Sequence, residues 1–421
     1  MNIMVIGGGG REHAIIRSLK KSPRVTALYA LPGNGGIAQD ATCVPIGATD
    51  IPAIVAFARE RAIDFAVVAP DDPLVQGAVD ALQNAGIPCF GPDKKAAIIE
   101  GSKAFSKELM QKYGIPTAAY AVFDDEAAAL AYLKAGKFPV VIKADGLALG
   151  KGVIIADAYP QAEEAVRAMM SGRAFGESGS RVVIEEYLEG PEVTVLSFTD
   201  GKTVVPMVSS MDHKRALDGD EGLNTGGMGV IAPNPCYTPE IAAQCMDTIF
   251  LPTIKAMQAE GRPFKGCLYF GLMLTADGPK VIEYNCRFGD PEAQAVLPLL
   301  ETDLLTIMEA VSQEWLDDVD IRFSGGATCC LMLVSGGYPG AYAKGCEISM
   351  GSMPEDVAVF HSGTALLDGK LVTAGGRVLG ITARADTLQE AVDKAYAAAQ
   401  GITFEGMYYR SDIGKRALEA K

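Results

Sequence analysis

Residues 3–14 read Ile3-Met4-Val5-Ile6-Gly7-Gly8-Gly9-Gly10-Arg11-Glu12-His13-Ala14, an apolar run followed by glycines and then by a helical pattern. The alternation continues downstream, with apolar runs at 25–30, 65–69 and 88–90 and helical periodicity at 11–20, 51–61 and 74–85. Strands that are apolar throughout are typical of a parallel sheet that helices cover on both faces. The sequence therefore predicts an α/β domain with a parallel sheet, which we place at residues 1–101.

Further regions follow this domain. Residues 102–320 have helical patterns at 102–113, 161–170 and 239–260 and strand-like runs at 139–144, 153–156, 181–187, 193–198, 203–208, 267–275 and 280–285. We predict one domain here, with a lid subdomain at about 117–188 and a long polar loop from Met211 to Gly229. Residues 321–421 change to short β-like runs separated by glycine turns and one amphipathic helix at 387–400, which predicts a small α+β domain.

Composition narrows the function classes. The 421 residues carry a formal net charge of −15, from 37 Lys plus Arg against 52 Asp plus Glu. A field of that sign repels nucleic acid and anionic membranes, so we expect neither as a partner. We find no signal peptide, no apolar run of membrane-spanning length and no paired C-x-x-C spacing among the nine cysteines. These features predict a cytoplasmic protein, and we expect a monomer or a weak homodimer.

The glycine loop Gly7–Gly10 suits an anion, because glycines let the backbone approach closely and the following helix offers free N–H groups. A dinucleotide site fits poorly. The third glycine of G-x-G-x-x-G would fall at Glu12, and the second strand runs into Pro32-Gly33-Asn34 without the acidic residue expected for an adenosine ribose. We predict a phosphate site without NAD, and a purely structural turn remains the alternative. Asp71, just past the run at 65–69, is either a ribose-hydroxyl acceptor or part of a solvated acidic turn.

A second constellation lies in Val281-Ile282-Glu283-Tyr284-Asn285-Cys286-Arg287. In a strand, Glu283, Asn285 and Arg287 would lie on one face. A carboxylate and an amide oxygen suit Mg²⁺ held jointly with nucleotide phosphates, and the arginine could stabilise charge on a transferring phosphoryl group. The alternative is an edge strand with one solvated polar face.

Other residues fit a nucleotide site. Lys143 ends a buried strand, where an unpaired charge is costly and a phosphate partner would explain it. Gly150-Lys151-Gly152 is a lid-like loop that could close over phosphates, and Lys103 opens a helix whose free end favours phosphate. The run Glu185-Glu186-Tyr187-Leu188 precedes a turn whose backbone could bind an adenine edge, and Glu192 could bind ribose hydroxyls. The sequence contains neither a P-loop nor a kinase signature.

This order of elements resembles the ATP-grasp superfamily and, within it, the glycinamide ribonucleotide synthetase family. The matching strings run in family order: G-G-R-E-H-A (Gly9–Ala14), P-G-N (Pro32–Asn34), E-G-S-K-A-F (Glu100–Phe105), K-A-D-G-L-A (Lys143–Ala148), G-K-G-V (Gly150–Val153), D-H-K-R (Asp212–Arg215), N-T-G-G-M-G (Asn224–Gly229), E-Y-N-C-R-F-G-D-P-E (Glu283–Glu292), G-G-R-V-L (Gly375–Leu379) and D-I-G-K-R-A (Asp412–Ala417). Together they are far more specific than any single motif. The resemblance implies a pre-ATP-grasp N-terminal domain, a two-lobed ATP-grasp core and a small C-terminal α+β domain.

The resemblance also implies a reaction. ATP would phosphorylate the glycine carboxylate, and the amine of 5-phosphoribosylamine would attack the acyl phosphate. The products would be glycinamide ribonucleotide, ADP and phosphate, in an early step of purine synthesis.

The resemblance further implies the site residues. Those expected to contact ATP are Lys103, Lys143, Gly150, Lys151, Gly152, Glu185, Glu186, Tyr187, Leu188, Glu192, Arg215 and Asn224. Those expected to bind the other substrates are Gly9, Gly10, Arg11, Glu12, Gly33, Asn34, Asp71, Asp212, Thr225, Gly226, Gly227, Met228 and Asp290. The candidate catalytic residues are Lys143, Asp212, His213, Lys214 and Arg287. Glu283 and Asn285 would hold Mg²⁺ or Mn²⁺. Many ATP-grasp enzymes carry another metal carboxylate on the preceding strand, but Gly271-Leu272-Met273-Leu274 offers none, so the metal would rest on two protein ligands.

Alternatives from other classes are less well supported. Another ATP-grasp ligase acting on a different purine precursor would not account for the D-H-K-R and N-T-G-G-M-G strings. A dinucleotide-dependent oxidoreductase is disfavoured by Glu12 and by the missing acidic residue after the second strand. A nucleotide-binding regulatory protein without turnover is disfavoured by the intact Glu283, Asn285 and Arg287.

Overall fold

The computed structural model describes residues 1–147, 152–171 and 179–419. Its N-terminal elements are β1 Asn2–Gly7, α1 Gly10–Lys20, β2 Ala27–Pro32, β3 Thr42–Cys43, α2 Ile51–Glu60, β4 Phe65–Val68, α3 Asp71–Gln76, α4 Ala78–Asn84, β5 Cys89–Phe90 and α5 Lys94–Gly101. The strands pair in the order β3-β2-β1-β4-β5, and all pairs are parallel, which confirms the predicted parallel sheet. The helix predicted at 74–85 is instead split, because Gly77 has a φ of +94° and ends α3 before α4 begins.

The next region contains α6 Lys103–Tyr113, β6 Tyr120–Phe123, α7 Glu126–Ala135, β7 Val140–Ala144, β8 Val153–Ala156, α8 Tyr159–Met170 and β9 Val182–Glu186. Its strands form an antiparallel sheet in the order β6-β9-β7-β8. Ser102 begins α6, since its hydroxyl accepts a hydrogen bond from the Phe105 N–H at 3.1 Å. The predicted lid residues Gly150 and Lys151 lie outside the described residues.

The central region contains β10 Glu192–Asp200, β11 Val204–Pro206, β12 Met211–Asp212, β13 Arg215–Leu217, β14 Glu221–Asn224, β15 Gly229–Ala232, α9 Pro239–Cys245, α10 Leu251–Ala259, β16 Lys265–Thr275, β17 Gly278–Asn285, α11 Glu292–Val296 and α12 Leu304–Gln313. Its main sheet is antiparallel in the order β11-β10-β16-β17. The predicted loop from Met211 to Gly229 is wrong, because strands β12, β13 and β14 lie within it. These strands are short and polar, so their sequence carries little of the alternation that marks a strand.

The C-terminal region contains β18 Ala327–Val334, β19 Ser349–Met350, β20 Val357–His361, β21 Thr364–Leu367, β22 Lys370–Thr373, β23 Arg377–Ala385, α13 Leu388–Ala399, β24 Ile402–Thr403 and α14 Lys415–Glu419. Its main sheet has the order β12-β15-β18-β23-β20 and so takes strands from both sides of residue 321. The predicted domain boundaries therefore stay predictions.

Aromatic packing joins the N-terminal sheet to the central one. The rings of Phe90, Phe198 and Phe288 lie 5.8–6.4 Å apart between centroids, and all three are buried. This cluster lies beside Arg287, so the same contacts that hold the regions together fix one wall of the cleft described next. Among the described residues, no helix is long and apolar enough to cross a membrane.

Candidate active site

A cleft of about 940 Å³ lies where these regions meet. Most of the predicted site residues line it: Arg11, Asp71, Lys103, Lys143, Gly152, Glu185, Glu186, Tyr187, Leu188, Glu192, Asp212, Lys214, Arg215, Asn224, Thr225, Gly226, Glu283, Asn285, Arg287 and Asp290. Residues that the sequence reasoning did not single out, among them Glu100, Lys107, Glu292, Tyr338, Arg377 and Arg416, line it as well.

A buried ion-pair triad lies where α6, β7 and β9 meet. The Glu185 carboxylate forms ion pairs with Lys107 Nζ at 2.8 Å on one oxygen and with Lys143 Nζ at 2.9 Å on the other, and all three side chains are at most 4% exposed. Lys143 also donates to the Ile282 carbonyl oxygen at 3.0 Å, which ties β7 to β17. Burial lowers the pKa of Lys107 to about 8, although the Glu185 carboxylate opposes the shift. Lys107 is four residues after Lys103 on α6, so helical spacing could have identified it.

Lys103 is positioned by the loop after β7. The Asp145 carboxylate accepts from the Ser102 hydroxyl at 3.0 Å and from the Ala104 N–H at 2.7 Å, so it binds the start of α6. Lys103 Nζ donates to the Gly146 carbonyl oxygen at 2.9 Å. Burial lowers the pKa of Lys103, and the nearby Glu283 carboxylate opposes that shift.

Glu283 and Asn285 border the cleft on β17. Burial alone would raise the pKa of Glu283, but Lys214, Lys143, Lys103 and Arg287 outweigh it and the pKa falls. Lys214 Nζ lies 3.8 Å from Glu283 and 2.9 Å from Glu192. Its own pKa is raised, because these carboxylates outweigh the effect of burial.

The strand that pairs with β17 supplies no further carboxylate. Gly271 on β16 pairs with Glu283, and a Cβ at Gly271 would lie 3.0 Å from Glu283 Cγ. Among the described residues, no cluster of three or more His, Cys, Asp or Glu could hold a metal ion. One carboxylate and one amide oxygen nevertheless form a donor pair that suits a hard divalent cation shared with phosphate oxygens and water.

Arg287 links the central region to the N-terminal domain. Its Nη2 lies 3.0 Å from a Glu100 oxygen and 3.7 Å from an Asp71 oxygen, and its Nε is buried without a protein partner. Arg287 and Arg11 both donate to the Phe288 carbonyl oxygen, at 3.3 and 3.2 Å, which brings the two guanidinium groups close together. Burial would raise the pKa of Asp71, but both arginines outweigh it and the pKa falls.

Asp290 and Asp212 lie on the side of the cleft that faces the C-terminal domain. Arg377 Nη2 lies 3.3 Å from the Asp290 carboxylate, and Arg377 Nη1 donates to the Asp290 carbonyl oxygen at 2.7 Å. Asp212 Oδ1 is buried without a hydrogen-bond partner. Burial, together with the nearby Glu292 carboxylate, raises the pKa of Asp212 well above its ordinary value.

The β13–β14 hairpin and the loop after it form another wall. Arg215 pairs with Asn224 in the hairpin, and both line the cleft. The Thr225 hydroxyl donates to the Lys214 carbonyl oxygen at 2.8 Å and accepts from the Gly227 N–H at 3.0 Å. Gly227 has a φ of +111°, and a Cβ there would come within 2.6 Å of Asp212 Oδ1, so only glycine fits.

The structure does not bring the predicted glycine loop and its partners to the cleft lining. Glu12 accepts the Gly9 N–H at 2.6 Å, and a Cβ at Gly10 would lie 2.4 Å from Gln294 Nε2. The Asn34 side chain donates to the carbonyl oxygens of Gly8 at 2.9 Å and His361 at 2.7 Å. Gly10 and Asn34 thus contact residues outside the N-terminal domain, and the predicted role of this loop in substrate binding stays a prediction.

His213, Gly227 and Met228 also lie outside the cleft lining. His213 Nδ1 lies 3.1 Å from the Gly229 carbonyl oxygen, and its Nε2 accepts the Gly414 N–H at 3.2 Å. Burial, with a contribution from Arg410, lowers the pKa of His213 to about 4. Both ring nitrogens bind backbone groups, and a catalytic role of His213 stays a prediction. Met228 is fully buried in the core.

Comparison with known proteins agrees with this architecture. The phosphoribosylglycinamide synthetase N domain matches residues 1–100, the ATP-grasp (A) domain matches residues 101–293, and the C domain matches residues 328–416. A phosphoribosylamine–glycine ligase from Vibrio vulnificus is 49% identical over 425 aligned positions, covering 99% of each chain.

Solved structures show the same fold. The crystal structure of phosphoribosylamine–glycine ligase from Thermotoga maritima has a TM-score of 0.86 at 34% identity and covers 98% of this chain and 100% of its own. The biotin carboxylase domain of a Hydrogenobacter thermophilus 2-oxoglutarate carboxylase, solved with MgADP and bicarbonate, has a TM-score of 0.74 at 19% identity, covering 97% and 91%. At that identity, the second likeness concerns the fold alone.

These matches confirm the family that the sequence motifs predict and set aside the oxidoreductase and the regulatory protein. The chain belongs to the phosphoribosylglycinamide synthetase family, the ATP-grasp ligases that join glycine to phosphoribosylamine in purine biosynthesis.

Proposed function

We propose that the cleft carries out the ligation in two steps, through a glycyl phosphate. The γ-phosphoryl group of ATP passes to the glycine carboxylate and ADP leaves. The amine of 5-phosphoribosylamine then attacks the acyl carbon, inorganic phosphate leaves, and the amine proton is lost. A carboxylate is a poor acylating agent, so the protein's contribution is to position the reactants and neutralise their charge.

One observation carries the proposal. In a chain with a net charge of −15, Lys103, Lys143, Lys214 and Arg287 surround Glu283 within a single cleft. Such a group of cations beside a carboxylate and an amide oxygen suits the charge of a metal-bound triphosphate.

The nucleotide end of the cleft comprises α6, β7, β9 and the β13–β14 hairpin. There, Lys103 and Lys143 would contact the phosphates, Glu185, Glu186, Tyr187 and Leu188 the adenine, and Glu192, Arg215 and Asn224 the rest of ATP. Gly152 lines the cleft beside Lys143, in keeping with a role over the phosphates. The contributions of Gly150 and Lys151 stay predictions.

The metal would be held by Glu283 and Asn285, with phosphate oxygens and water completing its shell. Mg²⁺ and Mn²⁺ both accept such oxygen ligands. When bound, the metal would neutralise negative charge on the ATP phosphates.

The reacting end of the cleft comprises Arg287, Arg11, Asp71, Lys214 and Asp290, together with Asp212 and the Thr225–Gly226 loop. Arg287 would stabilise charge on the transferring phosphoryl group, in keeping with its buried, unpartnered Nε. Lys214, held by Glu192 and Glu283, would stabilise negative charge on the acceptor side. Arg11 and Asp71 would bind the phosphoribosylamine.

The proposal also includes the substrates, the cellular location and the oligomeric state. The substrates would be glycine, 5-phosphoribosylamine and ATP, and the protein would act in the cytoplasm as a monomer or weak homodimer. The strongly negative charge supports the absence of nucleic-acid and membrane partners. We keep 1–101, 102–320 and 321–421 as the proposed domains, with the lid at about 117–188.

The test is phosphate release from Mg-ATP and glycine, with and without phosphoribosylamine made in situ from ribose 5-phosphate and ammonia. We expect release to require both acceptor substrates and glycinamide ribonucleotide to appear by mass spectrometry. Hydroxylamine should trap glycyl phosphate as a hydroxamate when the amine is left out. Turnover in the complete mixture without any hydroxamate would count against the acyl phosphate step. Release restored only by another carboxylate would overturn the glycine assignment.

A further inference from the structure

The D-I-G-K-R-A string near the C-terminus contributes Arg416 to the cleft lining, but the site described so far gives no role to the residues before it. All of the string except Ala417 falls within residues 410–416, which we call the C-terminal clamp. Arg410, at its start, is 1% exposed and is among the largest fully buried side chains of the described chain. A buried guanidinium is costly unless hydrogen bonds and carboxylates satisfy its charge. Its partners therefore indicate which part of the chain it holds in place.

Arg410 binds the β13–β14 hairpin. Its Nη1 donates to the Arg215 carbonyl oxygen at 3.0 Å and to Asp220 Oδ1 at 2.9 Å. Its Nε and Nη2 donate to the two oxygens of Asp412 at 2.7 and 2.8 Å, a bidentate pair that fixes the plane of the guanidinium. Asp412 in turn accepts the Gly219 N–H at 2.8 Å.

Further contacts of the C-terminal clamp reach the same hairpin tip. Ser411 N–H donates to Asp218 Oδ1 at 2.8 Å, and Arg416 Nη1 donates to Asp220 Oδ2 at 3.0 Å. The tip needs this support. Gly219, Asp220 and Gly222 all have left-handed backbone conformations, with φ of +72°, +57° and +80°, and Asp220 adopts it without the freedom of glycine.

The hairpin has little else to hold it. Within the described ranges, β13 and β14 pair only with each other, and such a two-stranded ribbon is marginal in water on its own. Leu217 and Leu223 are 47% and 67% exposed, so they contribute little apolar burial. Of the contacts described here, those from the C-terminal clamp are therefore the ones that fix the tip of the hairpin.

We propose that Arg410 and Asp412 are positioning residues for ATP binding, because they hold the hairpin that carries Arg215 and Asn224 against the nucleotide end of the cleft. This rests on the proposed contacts of Arg215 and Asn224 with ATP. The C-terminal domain thereby takes part in nucleotide binding, although its clamp is remote from Lys103, Lys143 and Glu185 in sequence.

The test is Asp412→Asn in the full-length enzyme, with Asp356→Asn as the matched control. Asp356 pairs with Lys394 in the same domain and touches neither the hairpin nor the cleft lining. We expect Asp412→Asn to raise KM for ATP about tenfold, the effect of losing one charge-assisted hydrogen bond. KM for glycine should stay unchanged, and amide hydrogen exchange at 215–224 should increase. Asp356→Asn should match the wild type.

Further variants distinguish a failure of the positioning role from a failure of the proposed ATP contact. Arg215→Met should itself raise KM for ATP. Adding Asp412→Asn to it should raise KM by clearly less than the roughly tenfold effect of Asp412→Asn alone, because the two changes share the Arg215 contact and only the Asn224 contact remains to be lost. If Arg215→Met raises KM for ATP and Asp412→Asn does not, the positioning role is overturned and the ATP contact stands. If Arg215→Met leaves KM for ATP unchanged, the proposed ATP contact itself fails. Should Asp412→Asn not fold, Arg410→Lys replaces it, and equal rises in KM for ATP and glycine would overturn the inference.

Discussion

Replacing Glu185 with glutamine should destabilise the chain strongly at neutral pH. Glu185 holds Lys107 and Lys143 at 2.8 and 2.9 Å, and the three side chains are 2–4% exposed. Glutamine keeps the shape but brings no charge, and its amide N–H₂ would face one of the ammonium groups. The lysines would keep only neutral acceptors, Thr117 Oγ1 at 2.8 Å and the Ile282 carbonyl oxygen at 3.0 Å. Because buried charges lose their counter-charge, we expect the free energy of unfolding to fall by about 3–5 kcal/mol.

This loss should shrink at alkaline pH. Burial lowers the pKa of Lys107 to about 8 against the attraction of Glu185, so removing Glu185 should lower it further. Between that folded-state pKa and the unfolded value of about 10.4, the unfolded chain binds more protons than the folded chain, and stability rises with pH. This window is wider in the variant than in the wild type. The deficit of the variant should therefore be larger at pH 7 than at pH 10.

Urea unfolding, monitored by circular dichroism, measures the loss in free energy of unfolding at pH 7 and at pH 10. A chain of several domains need not unfold in one step, so native-state hydrogen exchange of the β7 and β9 amides supplies the local free energy. Asp356→Asn, which removes an exposed ion pair, is the control and should leave both measurements unchanged. A Glu185→Gln variant within about 1 kcal/mol of the wild type at pH 7 would refute the reasoning, as would a deficit that does not change with pH.

The other predictions concern the metal site and the residues outside the cleft. Glu283→Gln combined with Asn285→Asp should reduce Mg²⁺-dependent phosphate release at least about 100-fold with an unchanged circular dichroism spectrum, and full activity would remove the metal assignment. Asn34→Ala should cost about 1–3 kcal/mol of stability, because its amide binds the backbone at Gly8 and His361. An unchanged KM for phosphoribosylamine would give Asn34 a structural role alone, and a selective rise in that KM would support the predicted substrate contact. Burial lowers the pKa of His213 to about 4, so the unfolded chain binds more protons between about pH 6.5 and 4, and stability should fall by about 3 kcal/mol as pH drops through this window. When the urea midpoint is measured as a function of pH, His213→Gln should reduce the slope between about pH 6.5 and 4. An unchanged slope would contradict the lowered pKa of His213.

The pattern of residues along the sequence was sufficient to predict features that depend on a single strand or helix. The apolar run at the N-terminus became β1 in the middle of a parallel sheet. Strand β17 and the residues just after it brought Glu283, Asn285 and Arg287 to the cleft, although Ile282 and Tyr284 line it as well. In such elements, residues close together in sequence determine the backbone conformation and the face on which each side chain lies. Both can therefore be predicted from the sequence.

Contacts between distant residues could not be predicted in the same way. Arg377 reaches Asp290 from the C-terminal domain, and Arg410 reaches Arg215 from nearly 200 residues away. No periodicity links such positions. Polar residues of the family motifs are difficult to interpret for another reason, because their type alone does not show whether they bind a ligand or the protein itself. Asn34 and His213 resemble binding residues, yet their hydrogen bonds go to backbone groups, and sequence does not distinguish a ligand from a buried carbonyl as the partner.

The charge of the cleft explains how an acidic protein can hold an anionic nucleotide. Four of its cations are paired with carboxylates: Lys143 with Glu185, Lys214 with Glu192, Arg287 with Glu100 and Arg377 with Asp290. Unpaired, these cations would be too costly to bury, and their carboxylates keep them charged and fixed in place. Incoming phosphates then meet donors that are already oriented, so little reorganisation opposes binding. The carboxylates that contribute to the net charge of −15 are therefore, in this cleft, what makes a site for anions possible.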